Sequence, residues 1–506
     1  MKDARWIERG GAEGDLAAAA RLYEGALPPG TLRCFDVGAL DRVGLTVFAA
    51  SFAGVDGYLT DGFGYGATPD EARVGALGEL SETVHVDAAV ARTPVEVASW
   101  AAMRDRHGAE HVLDPLTLCL PAGSDWTPEE PLAWVEVRRW PDGASGWAPL
   151  ETVATAPDLH AARAGGARAL FLPLTNGLGA GTSLEQALSH GVLELIQRDG
   201  NCTSFRAMDR GVVVEVDRVG DARLAGLLAT IRGLGIDLQV KLAAVDFGMA
   251  NLYVQGIGLP TASSLSQTAC GEAVHPNAER ALRKAILEFV ASRARKAFMH
   301  GDLDAVARIA PEGYMDDYAA RFDPAMEEPR ALREMTRWVE MDGASLVESL
   351  RDTVYAERAR VPLGDLPTTP EAAIGDAATR MADVAGRLQG AGLPIWYADA
   401  SPRGGDGPRI VKAIVPGLEG ETMSYYRIGE RGAARLLDRG SEIVHREAGR
   451  GRRRIRLTGE SEARLGGPVW LDVEAVDRIV GAAYPLYREP SCHAVPLAMA
   501  ARGGAS

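Results

Sequence analysis

Residues 175–201 read TNGLGAGTSLEQALSHGVLELIQRDGN, a glycine-rich turn running into a strongly periodic helix. Gly177, Gly179 and Gly181 permit tight or positive-φ backbone and the close approach of a ligand. Ser183 or Thr182 is placed to cap the helix, with Glu185 and Gln186 in its first turn. Ala187, Leu188, Gly191, Val192 and Leu195 form an apolar face, and Glu185, Gln186, Glu194 and Gln197 are polar. On an ideal helix Gln186 and Glu194 lie about 80° apart, and Gln197 falls close to Gln186.

The same texture occurs twice more. Residues 60–83 read TDGFGYGATPDEARVGALGELSET, and residues 271–293 read GEAVHPNAERALRKAILEFVASR. Each helix carries a glutamate well past its first turn: Glu79, Glu194 and Glu288. Glu79 and Glu82 are three apart, so one helical face presents both carboxylates. Several carboxylates on helices that leave flexible turns suit Mg²⁺, which prefers hard oxygen ligands. The competing reading makes each an ordinary exposed helix residue.

The chain has 506 residues and a net charge of −15, enough for a large core and more than one lobe. That charge argues against a broad nucleic-acid surface. Cys34, Cys119, Cys202, Cys270 and Cys492 form neither a CxxC pair nor a metal knuckle and read as small core residues. No apolar run is long enough for a membrane helix, and MKDARWIERGG lacks a signal-peptide core, so a cytoplasmic location is expected.

Along the chain, residues 13–24 read as a helix, 45–52 as buried strand and 90–102 as a further helical run. LAWVEVRRW (132–140) reads as a half-buried strand, with Val135 and Val137 on one face and Trp134 and Glu136 on the other. RALFLPL (168–174) reads as a strand leading into the glycine-rich turn. GLGAG completes neither a dinucleotide fingerprint nor a phosphate loop. Residues 205–259 alternate helix and strand, and 299–370 are charged and mostly helical. Arg427 and Arg431 suit phosphate or carboxylate contacts, and His493 is a weak acid–base candidate.

TNGLGAGTSLEQALSHGVLELIQRDG resembles the second glutamate helix of the YcaO-domain proteins. GFGYGATPDEARVGALGELSE resembles their first and AVHPNAERALRKAILEFVASR their third, while AGLPIWYADA and IVKAIVPGLE resemble a late strand and turn. The likeness spans about residues 35–440. It implies an α/β (α+β) fold with several mixed sheets and a central nucleotide cleft flanked by glutamate-bearing helices. Residues 1–34 would be an N-terminal extension, 299–370 a helical insertion or lid, and 441–506 a segment completing the fold.

The resemblance further implies ATP- and Mg²⁺-dependent phosphorylation of a peptide backbone amide. Azoline-forming cyclodehydration is the leading product class, beside thioamide or amidine formation. It assigns Glu79, Glu82, Glu194, Gln197 and Glu288 to metal, and Asn176, Gln186, Arg198, Lys284 and Arg293 to the nucleotide. Expected partners are a precursor peptide, a separate leader-binding or sulfur-donor protein, and a second copy in a homodimer. Several positions depart from the family pattern: Thr83 for Arg, Gln197 for Glu in LIQRD, Lys284 for Arg and Ala291 for Gln. The proline-rich tail of many cyclodehydratases is absent. These changes admit a non-catalytic interaction subunit as the alternative, and a small-molecule ligase as a second one.

Overall fold

Four sheets and the helices between them carry the chain in a computed structural model. It describes residues 16–503, apart from residues 56, 259–263, 404, 406, 421 and 422. MKDARWIERGG and the start of the expected helix at 13–24 lie outside the described residues; a helix runs over Leu16–Ala26.

The first sheet is an antiparallel meander of β1 (Gly30–Asp36), β2 (Val47–Gly54) and β3 (Leu59–Tyr65). A second, with β4 (Glu96–Ser99), β5 (Pro131–Trp140), β6 (Ser145–Pro149), β7 (Leu178–Gly181), β13 (Ile395–Asp399) and β14 (Arg409–Ile414), is ordered β4-β5-β13-β14-β7 with β6 on β5. The third is ordered β11-β10-β9-β8-β12, from β8 (Val212–Glu215), β9 (Ile236–Ala244), β10 (Ala250–Gly258), β11 (Cys270–His275) and β12 (Ala359–Pro362). It is mixed, because β12 runs parallel to β8. Short strands β15 (Val444–His445), β16 (Arg452–Arg454) and β17 (Trp470–Asp472) make the fourth. The chain is thus an α+β protein.

Three long helices organise these sheets: α1 (Pro69–Val90), α2 (Leu184–Asn201) and α3 (Ala278–His300). Each follows an edge strand of a different sheet: β3, β7 and β11. Each starts at a polar cap, Thr68, Ser183 or Asn277, whose side chain accepts a backbone N–H three residues on. Each lies on its own strand and also touches the next unit's: α1 meets β7, α2 meets β11 and α3 meets β3. The three strand–helix units therefore close into a ring.

Glycine sets the closeness of that packing. A Cβ at Gly64 would lie 2.0 Å from the Ala72 carbonyl oxygen, at Gly179 2.1 Å from that of Ala187, and at Gly271 2.0 Å from that of Ala285. The glycine at 179 thus admits a helix backbone, where the sequence suggested a ligand.

Other local expectations change for identifiable reasons. Leu178–Gly181 is a strand and not a turn, because β14 pairs with it from Gly181↔Arg409 to Leu178↔Lys412. Residues 168–174 form no strand, since side chains hold that backbone: Leu170 N donates to Glu151 at 2.7 Å, and Lys412 donates to the Leu174 carbonyl. Within 90–102, residues 96–99 are β4, drawn into extended pairing by β5. Trp134 is fully buried and its indole N–H donates to the Ala98 carbonyl at 2.9 Å, so β5 is covered on both faces there. The 299–370 segment holds helices Leu303–Ala307, Tyr314–Arg321, Pro329–Glu340 and Gly343–Ser349 before β12 enters the five-stranded sheet.

Alanine at Gly179 or Gly271 must push a helix off its strand and is expected to destabilise the protein by about 2–3 kcal/mol. Gly386, exposed in the helix Ala377–Gly390 with nothing within 4 Å of an added Cβ, should instead gain roughly 0.5–1 kcal/mol as alanine. Thermal unfolding of the three variants checks both signs.

Candidate active site

The closed ring turns one face of each helix toward a common cleft. α1 contributes Glu79 and Glu82, α2 His190, Glu194 and Arg198, and α3 Lys284, Glu288 and Arg295. Steps of three, four and seven residues keep each group on one stripe of its helix. Strand β3 ties two helices together: Phe63 N donates to Glu79 at 3.2 Å, and the Tyr65 hydroxyl donates to Glu288 at 3.1 Å. The backbone of Ala180 in β7 donates to Glu82, whose carboxylate lies 3.9 Å from His190 Nε2. Arg198 approaches Glu194 at 3.6 Å.

The electrostatics are those of neighbouring anions: Glu82 is buried, Glu194 and Glu288 are half-buried, and Glu79 lies at the exposed edge. Burial, then the charges of Glu194 and Glu79, raises Glu82 well above the usual carboxylate range. Glu79 is pushed up to about 7, by burial first and then Glu194 and Asp61, with Arg295 and the Phe63 amide opposing. Glu288 is likewise pushed up to about 7, by burial and then Glu272. Fully buried Lys412, on β14, is lowered to about 7 by desolvation, against the pull of Glu194, Glu82 and Asp87. Glu79 and Glu82, both raised by the charge of Glu194, stand close enough to gain from a cation between them.

Among the described residues no three His, Cys, Asp or Glu side chains are arranged to hold a metal ion.

Several sequence-assigned residues face other partners. Gln197 is buried and its amide donates to Glu272 at 3.1 Å, which removes it from the open carboxylate set. Gln186 folds back on its own helix end, where its oxygen accepts the Thr182 N–H at 3.0 Å. The Asn176 amide donates to the Gly420 carbonyl at 3.0 Å. Arg293 is fully buried and grips Asp41 at 3.0 and 3.1 Å, so it is a core ion pair. His493 is fully buried, 2.9 Å from the Tyr314 hydroxyl and edge-on to Phe298, and burial holds its imidazole down to about 4. It has no solvent-facing acid–base role. Arg431 does bind carboxylates, but internal ones, Asp199 at 2.9 Å and Asp246 at 3.0 Å. Buried Arg427 donates to the Leu118 and Cys119 carbonyls.

Sequence reading missed Glu272, Arg295, Lys412, His190 and Tyr65. Glu272, on β11, accepts Gln197, Arg198 at 3.2 Å and Asn201 at 2.6 Å. Two signals were available: a lysine inside the apolar strand RIVKAI, and a carboxylate in the strand before α3.

The profile of the family described as YcaO cyclodehydratase, ATP- and Mg²⁺-binding, matches residues 63–419, and the chain belongs to that family. An uncharacterised protein of Methanothermobacter thermautotrophicus is 27% identical over 407 residues, covering 79% of this chain and 93% of its own. An uncharacterised protein from the tfuA 3′ region of Rhizobium leguminosarum bv. trifolii is 24% identical over 370 residues, 72% of this chain and 78% of its own. Among solved structures, a heterocyclase in complex with substrate and cofactor superposes with TM-score 0.59 at 16% identity, covering 86% of this chain; this chain spans 57% of it. The YcaO protein of Methanopyrus kandleri bound with AMPPCP and Mg²⁺ superposes with TM-score 0.53 at 19% identity, covering 81% of this chain and 91% of its own. These two share the fold.

The raised carboxylates set a pH signature for the metal-free protein. Glu288 binds its proton more tightly folded than unfolded, so its contribution to stability is present at low pH and lost as pH rises from about 4.5 through about 7. Buried histidines with lowered affinity pull the other way, so the test compares variants. In chelator, Glu288→Gln should match wild type near pH 5 and exceed its Tm by a few degrees near pH 7.5. A constant difference across that range contradicts the assignment.

Proposed function

We propose that this chain activates peptide backbone amides by ATP- and Mg²⁺-dependent phosphorylation, with azoline formation as the product chemistry. The observation that carries the reading is the approach of Glu79, Glu82 and Glu194 from two helices, with Glu288 of the third reaching them through Tyr65 and with Arg198 and Lys284 nearby. Membership of a family described as ATP- and Mg²⁺-binding cyclodehydratases supports it.

In the proposed reaction a Cys, Ser or Thr side chain of the substrate adds to the preceding carbonyl carbon. The former carbonyl oxygen takes the terminal phosphoryl group of ATP, releasing ADP, and then leaves as phosphate while the ring C=N bond forms. The expelled group would otherwise be hydroxide, a poor leaving group. Glu79, Glu82, Glu194 and Glu288 would hold Mg²⁺, which supplies neutralisation of phosphate charge when bound. Arg198 and Lys284 orient phosphate oxygens. Glu272 keeps Arg198 aimed, since Arg198 sits between it and Glu194. The substrate would be a ribosomally made precursor peptide, presented by a separate leader-binding protein, with the enzyme acting as a homodimer. No helix among the described residues is long and apolar enough to cross a membrane.

Calorimetric titration with AMPPCP tests the reading. Wild type should bind only when Mg²⁺ is present, and Glu194→Gln should weaken binding roughly 10- to 100-fold. Absence of Mg²⁺-dependent binding overturns the proposal and favours an interaction subunit. Given binding, peptides incubated with ATP should lose one water per modified residue by mass spectrometry.

A further inference from the structure

Beyond the carboxylates, toward the C-terminal half of α3, lies a part-open cavity of about 60 Å³. Arg206, Arg295, Lys296, Ser292, Glu272 and Glu489 supply its polar wall. It accommodates a few waters or one small group and is far too small for a nucleotide.

The charges in this wall are unequally engaged. Glu272 is already held by Gln197, Arg198 and Asn201. Lys296 is buried and clamped by Glu489 at 2.5 Å, with His300 at 3.7 Å from the same carboxylate. Arg206 lies against the Phe205 and Tyr487 rings and 3.6 Å from Glu272. Arg295 differs. Its nearest carboxylate oxygen, on Glu489, is 3.9 Å away, its side chain is 38% exposed, and its Nε has no hydrogen-bond partner.

Helical geometry places Arg295 toward the site. Lys284, Glu288 and Arg295 fall within about 40° of one another around α3, whereas Arg293 lies about 160° from Arg295. One stripe therefore reads cation, carboxylate, cation, and the second cation lines the cavity while lying near enough to Glu79 and Glu288 for their charges to act on it. A guanidinium with unused donors beside a metal-suited carboxylate cluster matches a phosphoryl group, which it can grip in bidentate fashion.

We infer that Arg295 contacts the terminal phosphoryl group of the bound nucleotide and that the cavity receives that group. This rests on the reading that nucleotide and Mg²⁺ occupy the glutamate cleft. The family resemblance assigns a nucleotide role to Arg293, two residues away on the opposite face.

The test is calorimetry with Mg²⁺ and either AMPPCP or ADP, on wild type, Arg295→Gln and Arg295→Lys, with Tm measured alongside. Arg295→Gln should weaken AMPPCP by about ten- to a hundredfold and ADP by less than about threefold, with Arg295→Lys intermediate. A purely structural partner of Glu489 would lower Tm in Arg295→Gln and leave the ratio of the two affinities at its wild-type value, which overturns the inference. Equal weakening of both nucleotides also overturns it. Should Arg295→Gln not fold, Arg295→Lys carries the same test: selective loss of AMPPCP supports the contact, and an unchanged ratio defeats it. Wild type that binds neither nucleotide overturns the underlying reading, a result distinct from binding that ignores Arg295.

Discussion

Backbone-to-backbone contact between three edge strands and three helices is the constraint on which this structure depends. At Gly64, Gly179 and Gly271 the strand has no side chain toward the helix, and the facing carbonyl belongs to an alanine each time. Contact this close fixes both the height and the rotation of a helix on its strand. Rotation decides which stripe of α1, α2 and α3 faces inward, and hence whether the carboxylates meet. Extensive apolar burial on the outer faces, such as Leu77 and Leu80 of α1 or Ala187, Leu188 and Val192 of α2, supplies the stability that opposes the repulsion inside.

That repulsion is contained rather than cancelled. Lys412 lies buried among Glu82, Glu194 and Asp87, while Arg198, Lys284 and Arg295 stand at the rim of the carboxylate group. A nucleotide polyphosphate could not enter a cleft with this many carboxylates on charge grounds alone. On the proposed reading a divalent cation would reverse the sign at the carboxylates, and the rim cations would then match phosphate oxygens farther out. The acidic centre and the basic rim are therefore complementary parts of one arrangement.

Much of this was legible in the sequence because it depends on local rules. Caps, apolar periodicity and the repeated glutamate mark the three helices, and the fold brings Glu79 and Glu82 of one within reach of Glu194 of the next. The failures are non-local. Sequence gives the angle of Arg293 on its helix but not the position of Asp41, 252 residues away, which holds it in the core. Glycine at 179 was read as room for a ligand because the helix that fills that space belongs to tertiary packing. The resemblance assigns Gln186 to the nucleotide, yet its amide completes a helix cap. Glu272 escaped notice because a single carboxylate in a strand has no periodic signature.

Glu272 also changes the meaning of Gln197. Taken alone, glutamine at a position suited to glutamate subtracts one anionic ligand. In the fold that side chain lies 3.1 Å from the Glu272 carboxylate and donates to it. A glutamate there would set a second carboxylate against Glu272, with Arg198 as the cation the two would share, and would leave the Glu272 oxygen without its amide donor. The carboxylate at this corner comes from β11, and the amide on α2 serves it as donor together with Arg198 and Asn201. The negative charge at this corner is thus carried by the strand. Because the same Glu272 oxygen accepts from Arg198, this carboxylate links the strand of the third unit to the cation of the second.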